Sequence, residues 1–168
     1  RLQEEMEAQV KARTAALAAR EEQLATIFRA NPGGITIIRQ SDSCYLEAND
    51  AYLAMVGYSR DQLIGHTSVE LGIVPREGRD QMRAVFQTQG HVYRQYGQIT
   101  NARGEPLDIY YSSELIEYAG APCYLGLMID VTAQRRMEHE LRDSEERFRL
   151  IVENSPDVIA LFDEQGKM

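Results

Sequence analysis

EEQLATIFRANPGGITIIRQSD begins at residue 21, EERFRLIVENSPDVIALFDEQG begins at residue 145, and the two align without a gap. Glu21/Glu145, Glu22/Glu146, Ile27/Ile151, Pro32/Pro156 and Ile35/Ile159 are identical. Leu24/Phe148, Phe28/Val152, Ile37/Leu161 and Ile38/Phe162 keep the apolar pattern. An internal repeat fixes the unit of construction: a helix, a turn marked by proline and a strand, then a domain, then the same entry again. The run Val158-Ile159-Ala160-Leu161-Phe162 followed by Asp163-Glu164-Gln165-Gly166 then reads as the first strand of a second copy. A lone strand cannot satisfy its backbone groups or bury a face. The expectation is therefore a piece of a longer tandem protein. It divides into a connector helix over 1–30, a domain over 31–132, a second connector over 133–154 and the truncated strand over 155–168.

The connectors are dense in charge but nearly neutral. Residues 1–30 carry five basic and five acidic side chains, and residues 133–153 carry five and six. Residues 31–132 carry seven and twelve, so most of the net charge of −8 sits in the middle. That balance argues against nucleic acid and anionic membranes as partners. No apolar run approaches the length of a membrane span. Residues 1–30 lack Gly and Pro and are rich in helix formers. Val10, Leu17 and Leu24 recur every seventh residue, with Met6 and Ile27 on the second seam position and Arg13 and Arg20 interrupting it. This favours a two-stranded parallel coiled coil over a helix packed on its own domain, since about 45 Å of helix outruns one small domain. Met137, Leu141, Phe148 and Ile151 form the apolar seam of the second connector. Glu138–Arg142, Asp143–Arg147 and Glu145–Arg149 are acid-first i,i+4 pairs on its wet faces. The partner expected from these seams is a second copy of the chain.

In the middle, ITIIRQ and CYLEAN make a strand hairpin about the turn Ser41-Asp42-Ser43. Asp50 can cap a helix that stops at Gly57, and Ser59 with Gln62 forms a capping box. Pro75 to about Gln89 reads as a longer helix. Three strands follow, joined by turns at 102–105 and at 119–121. The order β-β-α-α-α-β-β-β gives an α+β fold whose antiparallel sheet receives its helices after the second strand. Cys44 and Cys123 read as reduced core residues within strands of a cytosolic protein.

FRANPGGI, then YLEANDAYLAMVGYSRDQLIG, then a strand run closing in DVT resembles a PAS domain with its PAC-type C-terminal half, the sensor module of bacterial signalling proteins. DVTAQRRMEHELRDSEERFR is similar to the junction between PAS repeats. The resemblance covers about residues 21–132 and the connectors. It implies a five-stranded antiparallel sheet that cups its helices, flanked by long N- and C-terminal helices and coupled to them. Asn49, Asp130 and Thr132 match the family's motif positions, which implies a part in signal coupling; as plain chemistry they are also turn and helix caps. The family further implies an effector domain downstream in the same chain, such as a histidine kinase or a cyclic-di-GMP enzyme, with no catalysis in this segment.

A hollow between sheet and helices would be faced by Tyr52, Met55, Ile64, Met82, Phe86, Tyr96, Ile109, Tyr111, Ser113 and Leu125, either as filler or as a ligand pocket. Two functions stay open: a sensor whose ligand shifts the helices, and a ligand-free dimerisation and relay module. No cofactor is expected. The photoactive flavin subtype needs a cysteine motif where IGHTSVELGI stands, and haem subtypes place a His on the long helix, which REGRDQMRAVFQTQG lacks. His66, His91 and His139 read as exposed. MEHELR lacks the Thr-Pro-Leu that follows a kinase phosphoacceptor. No metal-ligand spacing occurs.

Overall fold

Freedom from Gly and Pro makes residues 2–30 one helix, α1 (Leu2–Ala30), and it ends where Asn31 turns extended ahead of Pro32. The computed structural model describes residues 1–154, so the strand expected over 155–168 lies outside the described residues. β1 (Gly34–Arg39) pairs antiparallel with β2 (Tyr45–Ala48), with a bulge between Ile37 and Ile38. Cys44 stands just outside β2: its N–H is taken by the Asp42 carboxylate at 3.0 Å, and it makes only a single bridge to Thr67. It is half-buried rather than a core residue, whereas Cys123 is buried within its strand; both thiols are free.

Three helices follow. The cap of α2 (Asp50–Val56) is Asn49, not Asp50: the Asn49 side chain accepts from Tyr52 N–H, and Asp50 becomes the acid of the first turn. Gly57 ends it in the left-handed region at φ 75°. α3 (Arg60–Leu63) opens on a complete capping box of Ser59 and Gln62. α4 (Arg76–Gln89) follows Pro75 and stops at Gly90.

β3 (His91–Thr100), β4 (Pro106–Tyr118) and β5 (Ala121–Asp130) complete a five-stranded antiparallel sheet in the order β2-β1-β5-β4-β3. The β3–β4 turn is closed by Asn101, whose side-chain Oδ1 accepts from Arg103 N–H and Glu105 N–H. The β4–β5 turn uses Ala119 and Gly120, both at positive φ, which suits the twist of a tight hairpin. The core is Ile38, Tyr45, Tyr52, Val56, Leu63, Ile73, Ile99 and Ile109 between the sheet and the inserted helices.

The chain divides into two units, residues 1–130 and a second that begins at Val131. In the first, α1 contributes no buried residue. The second consists, as far as described, of α5 (Thr132–Asn154). Met137, Leu141, Phe148 and Ile151 are all more than half exposed on it. Among the described residues, the three expected acid-first pairs of α5 do not reach ion-pair distance; Arg147 Nε instead donates to the Asp143 carbonyl at 3.3 Å. No described helix is long and apolar enough to cross a membrane.

Candidate functional site: a hub at Asn49 and a cavity under α4

Asn49 ends the second strand run and starts the first inserted helix, so its side chain sits where three elements converge. It is fully buried. Its carbonyl oxygen accepts from Ile35 N–H at 2.8 Å and from Tyr52 N–H at 3.0 Å. Its amide donates to the carbonyls of Phe28 at 3.0 Å, Gly33 at 2.9 Å and Asn31 at 3.4 Å. One side chain thus ties the last turn of α1 to the start of β1 and the first turn of α2. Each bond satisfies a backbone group that would otherwise be orphaned at a helix or strand end.

Beside it the Tyr45 and Tyr52 hydroxyls meet at 2.6 Å inside the core. Burial penalises the phenolate form and pushes both above the ordinary tyrosine value, Tyr52 the further of the two.

A cavity of about 40 Å³ lies between α4 and the inner faces of β1, β4 and β5. By the yardstick of roughly 10–15 Å³ per water it has room for about three waters. Ile38, Met82, Phe86, Tyr111, Tyr124 and Met128 form its apolar wall. Phe86 and Tyr124 meet edge to face, with centroids 4.7 Å apart. The floor is Gly126, where an added Cβ would stand 2.8 Å from Thr36 Oγ1. That hydroxyl is fully buried and has no hydrogen-bond partner among the described residues. On the α4 side the cavity is bordered by Arg79 and Arg83. Among the described residues, half-buried Arg79 reaches only the Met82 sulfur, at 3.6 Å, and Arg83 reaches the Ser43 hydroxyl at 3.4 Å.

Of the ten residues expected around a hollow, Met82, Phe86, Tyr111 and Ser113 line this cavity. The others do not. Tyr52 and Ile109 are sealed in the core, at 0% and 1% exposure. Met55 and Ile64 pack against the core from α2 and the end of α3. Tyr96 is 43% exposed, with its hydroxyl donated to Asp108, and borders a separate, open groove between α4 and β3. Leu125 lies on the opposite sheet face: Tyr124, Gly126 and Met128 turn inward, so Leu125, Leu127 and Ile129 turn outward. Thr36, Arg79, Arg83 and Gly126 were not among the expected residues. The only sequence signal was the like-charged i,i+4 pair Arg79/Arg83, which is unfavourable on a free helix surface.

Asp130 closes β5 opposite Ile109 and is exposed, while Thr132 opens α5 and is buried. Val10, Leu17 and Leu24 are 64%, 62% and 59% exposed on α1. The three histidines, 66, 91 and 139, are exposed.

A family model described as the PAS fold matches residues 28–136. Among curated proteins none is significantly similar in sequence. Solved structures are. The PAS domain of an HTR-like protein from Haloarcula marismortui superposes with a TM-score of 0.56 at 18% identity, over 71% of this chain and 98% of that one. The PAS domain of a protein from Colwellia psychrerythraea gives 0.57 at 17% identity, over 67% and 97%. An RNA-binding light-oxygen-voltage receptor gives 0.61 at 18% identity over 77% of this chain, which spans only 38% of that receptor. At these identities the likeness is one of fold, and the five-stranded sheet with three inserted helices is that fold. With the family model covering well over half its length, the chain belongs to the PAS fold family, whose members are regulatory sensor modules.

Proposed function

We propose that the chain is the sensory and relay segment of a bacterial signal-transduction protein, in which a small molecule held under α4 alters the sheet and the flanking helices carry the change to an output domain. The buried, unpartnered Thr36 hydroxyl in a cavity floored by glycine carries this reading. A native core seldom keeps such a group without a use, because leaving it unpaired costs about 1–3 kcal/mol. Asn49 is the relay on the N-terminal side, since it bonds both β1 and the last turn of α1. Asp130 and Thr132, at the end of β5 and the start of α5, are the coupling residues on the C-terminal side. The apolar seams exposed on α1 and α5 support a homodimer formed through these helices. The output domain is a histidine kinase or a cyclic-di-GMP enzyme.

Mass spectrometry of the denatured, purified protein, together with its visible spectrum, tests the sensory reading. A small molecule released on denaturation supports it. A chain that releases nothing and shows no visible band favours the ligand-free relay instead. For the dimer, Leu17→Glu with Leu24→Glu places charges in the α1 seam and should yield monomers by light scattering.

A further inference from the structure

We infer that the cavity under α4 takes a small organic carboxylate, with its charged end toward Arg79 and Arg83 and its apolar end among Met82, Phe86 and Met128. This rests on the reading of the cavity as a ligand site and names the ligand's chemical class. Three observations carry it.

The first is uncompensated positive charge. Arg79 and Arg83 stand one helical turn apart on the face of α4 that borders the cavity. In the described residues no carboxylate lies within 4.0 Å of either guanidinium, although the chain carries 26 acidic side chains against 18 basic ones. Arg60, also partly exposed, shows the usual outcome: it meets both Glu47 and Asp50. Arg79 is half-buried, and among the described residues its hydrogen-bond partner is a thioether. A weakly hydrated guanidinium so placed is suited to a planar carboxylate, which it can grip through two parallel bonds. The second observation is Thr36 in the opposite wall, whose buried hydroxyl has no hydrogen-bond partner among the described residues and so keeps an unused proton. The third is the apolar part of the lining: Ile38, Met82, Phe86 and Met128 match a short alkyl group, beside the hydroxyls of Ser43, Ser112 and Ser113. The volume of about 40 Å³ has room for a molecule of the size of acetate.

The test is calorimetric titration of the purified chain with acetate, with acetamide as the neutral isostere and with inorganic phosphate as the competing oxyanion. Acetate should bind saturably, and acetamide and phosphate at least about tenfold more weakly, the span of one charge-assisted bond. Arg79→Gln should weaken acetate by a similar factor, Arg79→Lys by less, and Arg60→Gln not at all. Thr36→Val, which removes the hydroxyl but keeps the shape, should weaken acetate as well. If acetamide binds as well as acetate, or Arg79→Gln leaves the affinity unchanged, the carboxylate class is wrong while the ligand site stands. Phosphate binding equal to acetate overturns the organic part. Equal loss in Arg60→Gln marks the effect as general salt binding and overturns the site. If none of the three binds, the carboxylate assignment fails; a different molecule released from the denatured protein would then keep the sensory reading, and its absence would remove both.

Discussion

Ile35 and Thr36 are neighbours on β1, and the buried polar groups beside them have opposite fates. Asn49, which takes the Ile35 N–H, is fully buried and makes five hydrogen bonds to backbone groups of α1, β1, α2 and the link between α1 and β1. Thr36, equally buried one residue further on, has an Oγ1 with no partner. The first arrangement returns more than the desolvation of one amide costs, because it satisfies helix and strand ends that have no other partner. The second leaves that cost standing. One side of β1 is therefore a lock and the next residue a place with unused bonding capacity, and a sensor needs both: a fixed frame, and a spot where a bound molecule changes the energy.

The largest effect should come from breaking the lock. Asn49→Ala strands two buried N–H groups and at least two carbonyls and removes the cap of α2. At about 1–3 kcal/mol per unsatisfied group, partly relieved by water, the loss should be about 3 kcal/mol or more in urea unfolding. A loss below about 1 kcal/mol would show that the hub is decoration. Next is the floor of the cavity. Gly126→Ala sets a Cβ 2.8 Å from Thr36 Oγ1 and should destabilise by about 1–3 kcal/mol. Thr36→Ala in the same chain removes the clashing atom, so the double variant should be more stable than the two single losses added together. Strict additivity would mean that the two side chains do not meet.

The tyrosine pair extends the contrast to pH. Burial raises Tyr45 and Tyr52 above the ordinary value of 10.0. In the unfolded chain both lose their protons near pH 10, while the folded state keeps them. Their contribution is therefore fully present below pH 10 and falls as pH rises from there toward the folded values. The slope approaches about 1.4 kcal/mol per pH unit for each tyrosine. Tyr52→Phe should make that alkaline slope shallower in unfolding experiments run between pH 9 and 11, with Tyr45 and the partly buried Tyr111 supplying what remains. It should also cost about 1 kcal/mol at neutral pH through the lost bond at 2.6 Å. An unchanged slope would contradict the sealed pair.

The order of elements was legible because its punctuation is local. Gly57 stops α2, Ser59 and Gln62 cap α3 through their own backbone, and Ala119-Gly120 makes its turn without outside help. The hub was half legible. The sequence offers Asp50 as a cap and Asn49 as both a motif position and a cap. Either residue can cap a helix; the choice is made by distant partners, Ile35 N–H and the Phe28 carbonyl, that no local pattern reveals. The cavity was least legible. Tyr124, Leu125, Leu127, Met128 and Ile129 are apolar on both faces of β5, so alternation could not tell which side Leu125 takes, and a slip of one residue reverses every side chain. Thr36 is an unremarked position in the strand ITIIRQ, and Arg79 one of several charged positions on the long helix. Their importance comes from what they fail to meet, which is a property of the packed structure.

The smallest effect should have the opposite sign to the first. Thr36→Val exchanges an unpartnered buried hydroxyl for a methyl group of the same shape. In the ligand-free chain nothing is lost, because Oγ1 makes no bond, and the desolvation cost of that oxygen is relieved. Stability should hold or rise, by about 0–1 kcal/mol, where Asn49→Ala falls by several times that amount. The comparison must be made in buffers free of small carboxylates, since a bound one would give the hydroxyl a partner and reverse the sign. The same variant measured at rising acetate therefore makes the sharpest test: wild type should gain stability and Thr36→Val should gain less, so that the two curves cross. If Thr36→Val is destabilised by more than about 1 kcal/mol in carboxylate-free buffer, the hydroxyl is already satisfied in solution, and the contrast between the two buried side chains does not hold.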